Sequence, residues 1–275
     1  MARAIERIEQ DITALKEAIR AIAVELQSAY ASYLTTLGLA VRKQLILASY
    51  HLCTQGYPEN FLHLSLNQRQ QLQQAIRKLG KLTDEQLLTC IKSKEARIDE
   101  EDGEVTSSSP PAFLDTSTLQ TLTSDTSSPI ELAQWQQNIE DVTQEILKKV
   151  SHETNLLLRK AGVLPKKLPE PILAAAAAAA SEASAEVMPG PPNLLNLVIE
   201  IESEQQSEES GLTHIMAINL RLGEIEFADA TLSSERRQIR SILVQLSKLG
   251  REYQKKHQER AIAEAEAAWR ASWFE

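Results

Sequence analysis

The sequence predicts a mainly α-helical protein: an elongated coiled coil or helical bundle, with a small β-hairpin in the C-terminal region and disordered linkers. Apolar residues recur at steps of three and four from Ile5 onward, which is the spacing of a coiled-coil seam. Only 4% of the 275 residues are aromatic and much of the apolar content is alanine, so long helices are favoured over a thick globular core. Two stretches interrupt the helical pattern and predict the linkers. The first has little apolar surface and is acidic and then rich in serine, threonine and proline, and the second combines prolines with an alanine run.

The N-terminal segment, residues 1–98, is predicted to hold a coiled-coil helix followed by a helical hairpin. The seam that we assign to self-association consists of Ile5, Ile8, Ile12, Leu15, Ile19, Ile22 and Leu26. The helix continues less regularly, and Gly38 within it costs about 1 kcal/mol relative to alanine. It is expected to end near Gln55, because Gly56 can take the left-handed position after a helix and Pro58 cannot continue one.

Two capping boxes predict the hairpin. Ser65 with Gln68 begins a helix that stops at Gly80, and Thr83 with Gln86 begins another. In each box the hydroxyl and the amide satisfy backbone donors that the first turn leaves unpaired. A short connection between the two helices would let them fold back on the first helix.

A central helix is predicted between two linkers. Residues 99–127 are acidic and then rich in serine, threonine and proline, so they are read as a disordered linker. The helix of residues 128–163 begins at Ser128, where an N-cap serine is followed by proline and then, at the third helical position, by glutamate. Its apolar stripe consists of Leu132, Trp135, Ile139, Val142, Ile146, Val150 and Leu157. Residues 164–193 form the second, proline- and alanine-rich linker.

The C-terminal segment, residues 194–275, is predicted to contain a β-hairpin and a long helix. Apolar residues alternate in 194–202 and again in 214–227, which favours two strands joined by an acidic loop. A helical stripe also fits the first of these runs, so a helix stays open as the alternative there. The long helix begins near Ser234, and its seam consists of Ile239, Ile242, Leu246, Leu249 and Tyr253.

Sites for catalysis, cofactors or metals are not predicted. The phosphate-binding, dinucleotide-binding, nucleophile-elbow and zinc-protease motifs are absent from the sequence. The two cysteines, Cys53 and Cys90, belong to no C-x-x-C pair, which disfavours a disulfide framework and a zinc site and fits a reducing compartment. His51 lies two residues before Cys53, but these positions point to different faces of a helix. We therefore expect no enzyme, no metal and no cofactor.

The charge balance weighs on the choice of partner. With 29 basic and 38 acidic residues the net charge is −9, which makes nucleic acid an unlikely partner. The last helix is locally basic, a feature interpreted as a solvated helix flank with RNA or phospholipid binding as the alternative; its cations are Arg236, Arg237, Arg240, Lys248, Arg251, Lys255 and Lys256. The N-terminus lacks a signal peptide's apolar run and no stretch is long enough for a membrane span, so a cytoplasmic location is expected.

The final residues are the sharpest candidate for a contact surface. Trp269 and Trp273 lie four residues apart, hence on one helix face, and Phe274 follows them. Aromatic side chains near a chain end stay exposed unless they dock, and tryptophan is favoured in protein interfaces and at lipid headgroups. We assign partner docking to Trp269, Trp273 and Phe274; the protein's own helices, another protein and a membrane surface stay open as the cover.

Two stretches carry a resemblance to known proteins. The segment Gln44 to Gly80, QLILASYHLCTQGYPENFLHLSLNQRQQLQQAIRKLG, and the ending EAAWRASWFE resemble uncharacterised helical proteins of cyanobacteria. The resemblance implies a cytoplasmic bacterial setting and transfers no activity. The seams, the linkers and the terminal aromatic residues favour a non-enzymatic coiled-coil scaffold or adaptor, a homo-oligomer that binds protein partners. The alternatives are a peripheral membrane or envelope-machinery component and, after it, a nucleic-acid-associated regulator.

Overall fold

The computed structural model describes residues 2–92, 128–165, 191–201 and 211–273. Within these ranges the helices are α1 (Ala2–His51), α2 (Pro58–His63), α3 (Leu66–Lys92), α4 (Pro129–Ala161), α5 (Leu222–Ala228) and α6 (Ala230–Ser272). A π-helical turn, Leu52–Gly56, follows α1, and strands β1 (Leu194–Ile201) and β2 (Gly211–Ile218) pair antiparallel. The predicted mainly helical fold with a C-terminal hairpin is confirmed. The predicted linkers fall almost wholly outside the described residues.

The described residues form two compact units. Unit 1 contains α1 up to Tyr33, the start of α4 up to Asp141, and α6 from Ser234. Unit 2 contains the rest of α1, α2, α3 up to Thr89, the remainder of α4, the hairpin and α5. The five-segment division derived from the sequence stays a prediction.

Unit 1 has an apolar core built from its three helical segments. Ser32 of α1 donates a hydrogen bond to Glu235 of α6 (2.5 Å), and Asp11 pairs with Lys256 (3.1 Å). Moving back along α1 thus moves forward along α6, so the two helices run antiparallel. The buried apolar residues of this core are Ile12, Ile19, Ile22, Ala23, Leu26, Ala29, Tyr30, Tyr33, Leu132, Trp135, Ile139, Ile239, Ile242 and Leu246.

The predicted hairpin of two helices in residues 65–91 is wrong, because α3 continues through Gly80. The first capping box is present, with the Ser65 N–H donating to Gln68 Oε1 at 2.8 Å and the Gln68 N–H donating to Ser65 Oγ at 3.3 Å. The second is not: the hydroxyl of Thr83 donates to the backbone oxygen of Leu79 (2.8 Å), and Thr83 is buried. A Thr-x-x-Gln sequence inside a helix with a packed face therefore does not start a new one.

Glycines in α1 and α3 mark the place where these helices approach closely. A Cβ atom on Gly38 would lie 2.1 Å from Asp84 Oδ1 and 3.1 Å from Asp84 Cα. A Cβ on Gly80 would lie 3.2 Å from Arg42 Cγ. The two glycines belong to unit 2, and the absence of side chains there lets the helix backbones pack together. Gly38 lowers the intrinsic helix propensity of α1, but α1 and α3 could not pack this closely with a larger residue at that position.

The ends of α4 lie where the sequence predicts. The Leu132 N–H donates to the backbone oxygen of Ser128 at 3.2 Å, and Pro129 is the first helical residue. Gly162 ends the helix in the left-handed region, at φ 88°, where a residue with a side chain would be strained. By contrast, the left-handed role predicted for Gly56 is wrong: Gly56 closes the π-helical turn, and a Cβ there would lie 3.1 Å from Met216 Sδ.

The hairpin is confirmed, with Leu194 opposite Ile218 and Ile201 opposite Gly211. The second strand is shorter than predicted. It ends at Ile218, and residues 222–227, read as strand from their alternation, belong to α5. The chain turns into α5 at Arg221, whose backbone oxygen accepts the N–H groups of Glu224 and Ile225, each at 3.1 Å. Asp229 then caps α6, since its Oδ1 accepts the Thr231 N–H at 3.0 Å.

Candidate functional site

A partly buried polar cluster lies inside unit 1. The guanidinium of Arg236 pairs with Glu140 through both terminal nitrogens, the second at 2.8 Å from Glu140 Oε2. Tyr30 donates to Glu140 Oε1 at 2.7 Å, and Arg236 donates to the hydroxyl of Tyr33 at 3.0 Å. Trp135 packs edge-on against Tyr30, with ring centroids 5.5 Å apart. The cluster joins α1, α4 and α6, so its chemistry fits positioning of helices.

The proton affinities of this cluster follow from its burial and its partners. Burial favours a raised pKa at Glu140, but the hydrogen bonds from Arg236 and Tyr30 and the guanidinium charge together lower that pKa below its ordinary value. Burial, with the adjacent carboxylate of Glu140, raises the pKa of Tyr30. Glu140 is therefore charged and Tyr30 protonated at neutral pH, which keeps the ion pair intact.

In unit 2, the side chains of Tyr57, which precedes α2, and of Ser151 and Asn155 on α4 bind the backbone of β2 and of Leu220 just after it. The Met216 N–H donates to the hydroxyl of Tyr57 at 3.0 Å, and this hydroxyl donates to the Met216 oxygen at 3.2 Å. Asn155 bonds both backbone groups of Ile218, each at 2.9 Å. Ser151 Oγ accepts the N–H of Leu220 at 2.9 Å. These contacts give the β2 backbone groups partners and attach the hairpin to the helical frame.

Asn193 organises the entry to the hairpin. It is buried and has a left-handed backbone, at φ 61°, which asparagine tolerates better than most residues. Its side chain accepts the N–H of Arg221 at 3.0 Å and donates to Gln44 at 3.2 Å, while its own N–H donates to Glu224. The sequence placed this residue in a linker and missed its role. An asparagine after two prolines and before a strand was the available signal.

The outer face of α6 is the candidate docking surface. We define it by exposed residues that recur at steps of three, four or seven, opposite the buried seam of the same helix: Arg237, Arg240, Val244, Lys248, Arg251, Lys255, Ile262, Trp269 and Trp273. Arg236 and Lys256, counted among the basic residues in the sequence, are not part of it, because they pair with Glu140 and Asp11. The five remaining cations and four apolar residues therefore share one surface.

Two tryptophans occupy one end of this outer face. Trp269 and Trp273 are 66% and 64% exposed, and their ring centroids lie 5.7 Å apart. Ile262, two turns earlier on the same face, is 52% exposed. The described part of the chain thus leaves the predicted docking residues uncovered. Phe274, predicted with them, lies outside the described residues.

The predicted self-association seam is largely covered inside the single chain. Ile12, Ile19, Ile22 and Leu26 are buried in unit 1, whereas Ile8 is half-buried. The complete seam is Ile5, Ile8, Ile12, Leu15, Ile19, Ile22 and Leu26, of which Ile5 and Leu15 are also half-buried. The apolar side chains in the central part of the seam are therefore buried in the core of unit 1. The role of this seam in self-association stays a prediction.

Unit 2 has an exposed apolar stripe that the sequence analysis missed. It lies on α1 and consists of Leu39, Ile46, Leu47 and Tyr50, all exposed. The seam on the opposite face of α1 is more regular, so the sequence pattern predicts only the buried face of this helix. Leu39, Ile46 and Tyr50 recur at steps of seven and four residues, and this spacing was the available signal.

The remaining reactive groups do not converge. Cys53 is buried, and burial raises the pKa of its thiol to about 11, so it stays protonated. Among the described residues, no three His, Cys, Asp or Glu side chains are placed to hold a metal ion. None of the described helices has an apolar stretch that could cross a bilayer. An open groove on the first turns of α1 is lined by Glu6, Glu9, Gln10, Thr13, Ala14 and Glu17.

Comparison with known proteins adds no relative from which a role could be carried over. No protein-family model, no curated protein and no solved structure matches this chain.

Proposed function

We propose that this protein is a non-enzymatic, cytoplasmic scaffold or adaptor that binds other protein chains through the outer face of α6. The single observation that carries the proposal is the exposure of Trp269 and Trp273 on the face turned away from the buried seam. Tryptophan is enriched among the anchor residues of protein interfaces, because its side chain buries much apolar area and loses little rotamer entropy on binding.

The distribution of polar groups supports the same proposal. In the described residues the polar clusters at Glu140 and at Asn155 connect helices and strands of the protein itself. Burial raises the pKa of the Cys53 thiol, which keeps the thiol protonated at neutral pH. Eight exposed apolar side chains, on the other hand, form two groups, one on α1 between Leu39 and Tyr50 and one on α6 between Val244 and Trp273, and grouped apolar surface marks interaction sites. The other exposed large apolar residues lie outside these groups: Val24, Leu62, Leu66, Leu82, Ile130 and Phe227.

Photo-crosslinking in the native cell tests the docking function. A benzophenone amino acid at Ile262 is expected to give protein adducts, because this residue lies on the outer face between the cations and the tryptophans. The matched control is Phe227, which is 90% exposed but lies on α5, outside that face. Substitution of Trp269 and Trp273 by alanine should abolish the adducts at Ile262. Equal adducts at both positions, or none at Ile262, would contradict the proposal.

A peripheral membrane component is the second candidate. It is favoured by the cations Lys248, Arg251 and Lys255, which share the outer face with the tryptophans as in helices that lie on anionic lipid. The net charge of −9 opposes it. Flotation with vesicles of phosphatidylserine and phosphatidylcholine separates the candidates: a scaffold stays in the dense fraction, and a lipid-bound protein rises with the vesicles.

A further inference from the structure

We infer that the occupant of the outer face of α6 is the outer face of a second copy, packed antiparallel, so that the protein is a two-fold symmetric dimer. This inference rests on the proposed docking function and names the partner. It is carried by the way charge and apolar surface are distributed along the outer face, and it does not use the predicted seam of α1.

Charge changes sign along this helix. Its first half carries the exposed cations Arg237, Arg240, Lys248, Arg251 and Lys255. Its second half carries Glu259 and Glu266 on or beside the same face, with the apolar residues Ile262, Trp269 and Trp273. Arg270 also lies beside this face, where it pairs with Glu266 of its own helix at 3.6 Å. From Arg237 to Trp273 the surface is about 54 Å long, at 1.5 Å per residue. One end of the face is therefore basic, and the other is apolar and only slightly acidic, with three carboxylates against two guanidinium groups between Glu259 and Trp273.

Antiparallel packing is the arrangement that makes this face complementary to itself. With full overlap, residues equally far before and after Lys255 lie opposite each other across the two-fold axis. Arg237 then meets the partner's Trp273, a cation over an aromatic ring, and Arg251 meets the partner's Glu259. Parallel packing would instead set all five cations against their own copies, whereas antiparallel packing does so for Lys255 alone, and like charges in register oppose association.

The existing contacts leave these groups accessible for a second chain. Glu259 pairs with Lys256 of its own helix at 3.0 Å, and its side chain is 38% exposed, so a second cation can reach it. The two Lys255 side chains meet at the axis, where Glu252 and Glu259 of both copies flank them. Each copy covers the other's tryptophan pair with the apolar stems of Arg237 and Arg240.

Disulfide trapping in the full-length chain tests the orientation. Lys255→Cys should form a disulfide-linked dimer on mild oxidation, because the two positions meet at the axis. Val244→Cys is the matched control: it is exposed on the same face, and in the antiparallel dimer its two copies lie about 22 residues apart, or roughly 33 Å. Oxidised wild-type protein reports any contribution of Cys53 and Cys90. Dimers from Val244→Cys would establish parallel packing and overturn the inference.

A charge exchange tests the register. Arg251→Glu and Glu259→Arg should each weaken the dimer about tenfold, as read from the concentration dependence of the mass in light scattering, because each places like charges together. The combined variant should return to the wild-type dissociation constant. The two positions are eight residues apart on one helix, so the exchange cannot act within a single chain. Additive weakening in the combined variant would overturn the inference.

Light scattering, crosslinking at Ile262 and vesicle flotation together separate the dimer inference from the docking function on which it rests. A chain that is monomeric by light scattering, while Ile262 still crosslinks to other proteins, overturns the dimer and leaves the docking function intact. A monomer that floats with anionic vesicles and gives no protein adducts overturns the inference and the docking function together.

Discussion

Arg236 and Arg237 are neighbours in the sequence with opposite environments. The side chain of Arg236 is 13% exposed and paired with Glu140, whereas Arg237 faces outward. Replacing Arg236 by methionine leaves the carboxylate of Glu140 partly buried without its counter-charge, so we expect a loss of about 3 kcal/mol in the free energy of unfolding. Arg237→Met, the matched control, should change it by less than about 0.5 kcal/mol. Urea denaturation measures both, and equal effects would contradict the assigned environments.

The stability contributed by Glu140 should depend on pH. Its folded-state pKa is lowered, so the contribution is complete above the ordinary value near 4.5 and is lost as the pH falls through the folded-state pKa. Glu140→Gln removes the titrating group. The gap in unfolding free energy between wild type and this variant should therefore be widest at neutral pH and shrink in acid. A gap that stays constant between pH 7 and pH 3 would show that Glu140 is not paired.

Single residues show where sequence reading stops. The sequence groups Arg236 with six other cations as one solvated flank, because periodicity alone does not say which of them faces Glu140, 96 positions away. Asn155 and Asn193 are invisible for the same reason, since their partners lie on other elements. Trp269 and Trp273 could be predicted as exposed because their signal is local: two aromatic residues on one face near the chain end.

At the scale of elements, the close approach of α1 and α3 determines the effect of Gly38. Helix propensity alone predicts that Gly38→Ala stabilises the protein by about 1 kcal/mol. The structure predicts the opposite sign, a loss of roughly 1–2 kcal/mol, because the added Cβ would lie 2.1 Å from Asp84 Oδ1 and 3.1 Å from Asp84 Cα. Lys43→Ala, exposed on the same helix, is the control for propensity. Thermal unfolding decides, and a higher melting temperature for Gly38→Ala would contradict the packing.

The attachment of the hairpin depends on Asn155. Asn155→Ala removes both bonds to Ile218 and leaves that residue's N–H and C=O without partners, at a cost of roughly 1–3 kcal/mol. Amide hydrogen exchange should accelerate at Met216 and Ile218. His152→Ala, an exposed neighbour on α4, should leave exchange unchanged. Unchanged protection of Ile218 in the Asn155 variant would refute the attachment.

Element boundaries could be predicted where the determinants are local. The start of α3 at Ser65 and the start and end of α4 follow from capping residues and from Gly162. The continuation of α3 past Gly80 could not be predicted, because it depends on packing against Arg42. The end of β2 was predicted too late, because residues 222–227 alternate between apolar and polar side chains as a strand does, although they lie in α5. The cap at Asp229 marks only the start of the next helix, α6.

For the whole molecule, the seams predicted from heptad spacing are real, but their partner is mainly the chain itself. Ile12 to Leu26 are buried with Leu132, Ile139 and Ile239 in unit 1. Heptad spacing predicts that a face is covered, yet it does not distinguish a neighbouring helix of one chain from a helix of another. Because this seam is already buried, we propose that association uses the outer face of α6, which is exposed in the described residues.

The most direct test of this account is quenching of tryptophan fluorescence across a concentration series, in a Trp135→Phe background that leaves Trp269 and Trp273 as reporters. At dilutions where light scattering gives the mass of one chain, acrylamide should quench both freely, and protection should grow as the mass doubles. Protection of the tryptophans in the monomer would mean that the chain covers its own docking surface. Free quenching in an established dimer would place the contact elsewhere, and either result would contradict the account.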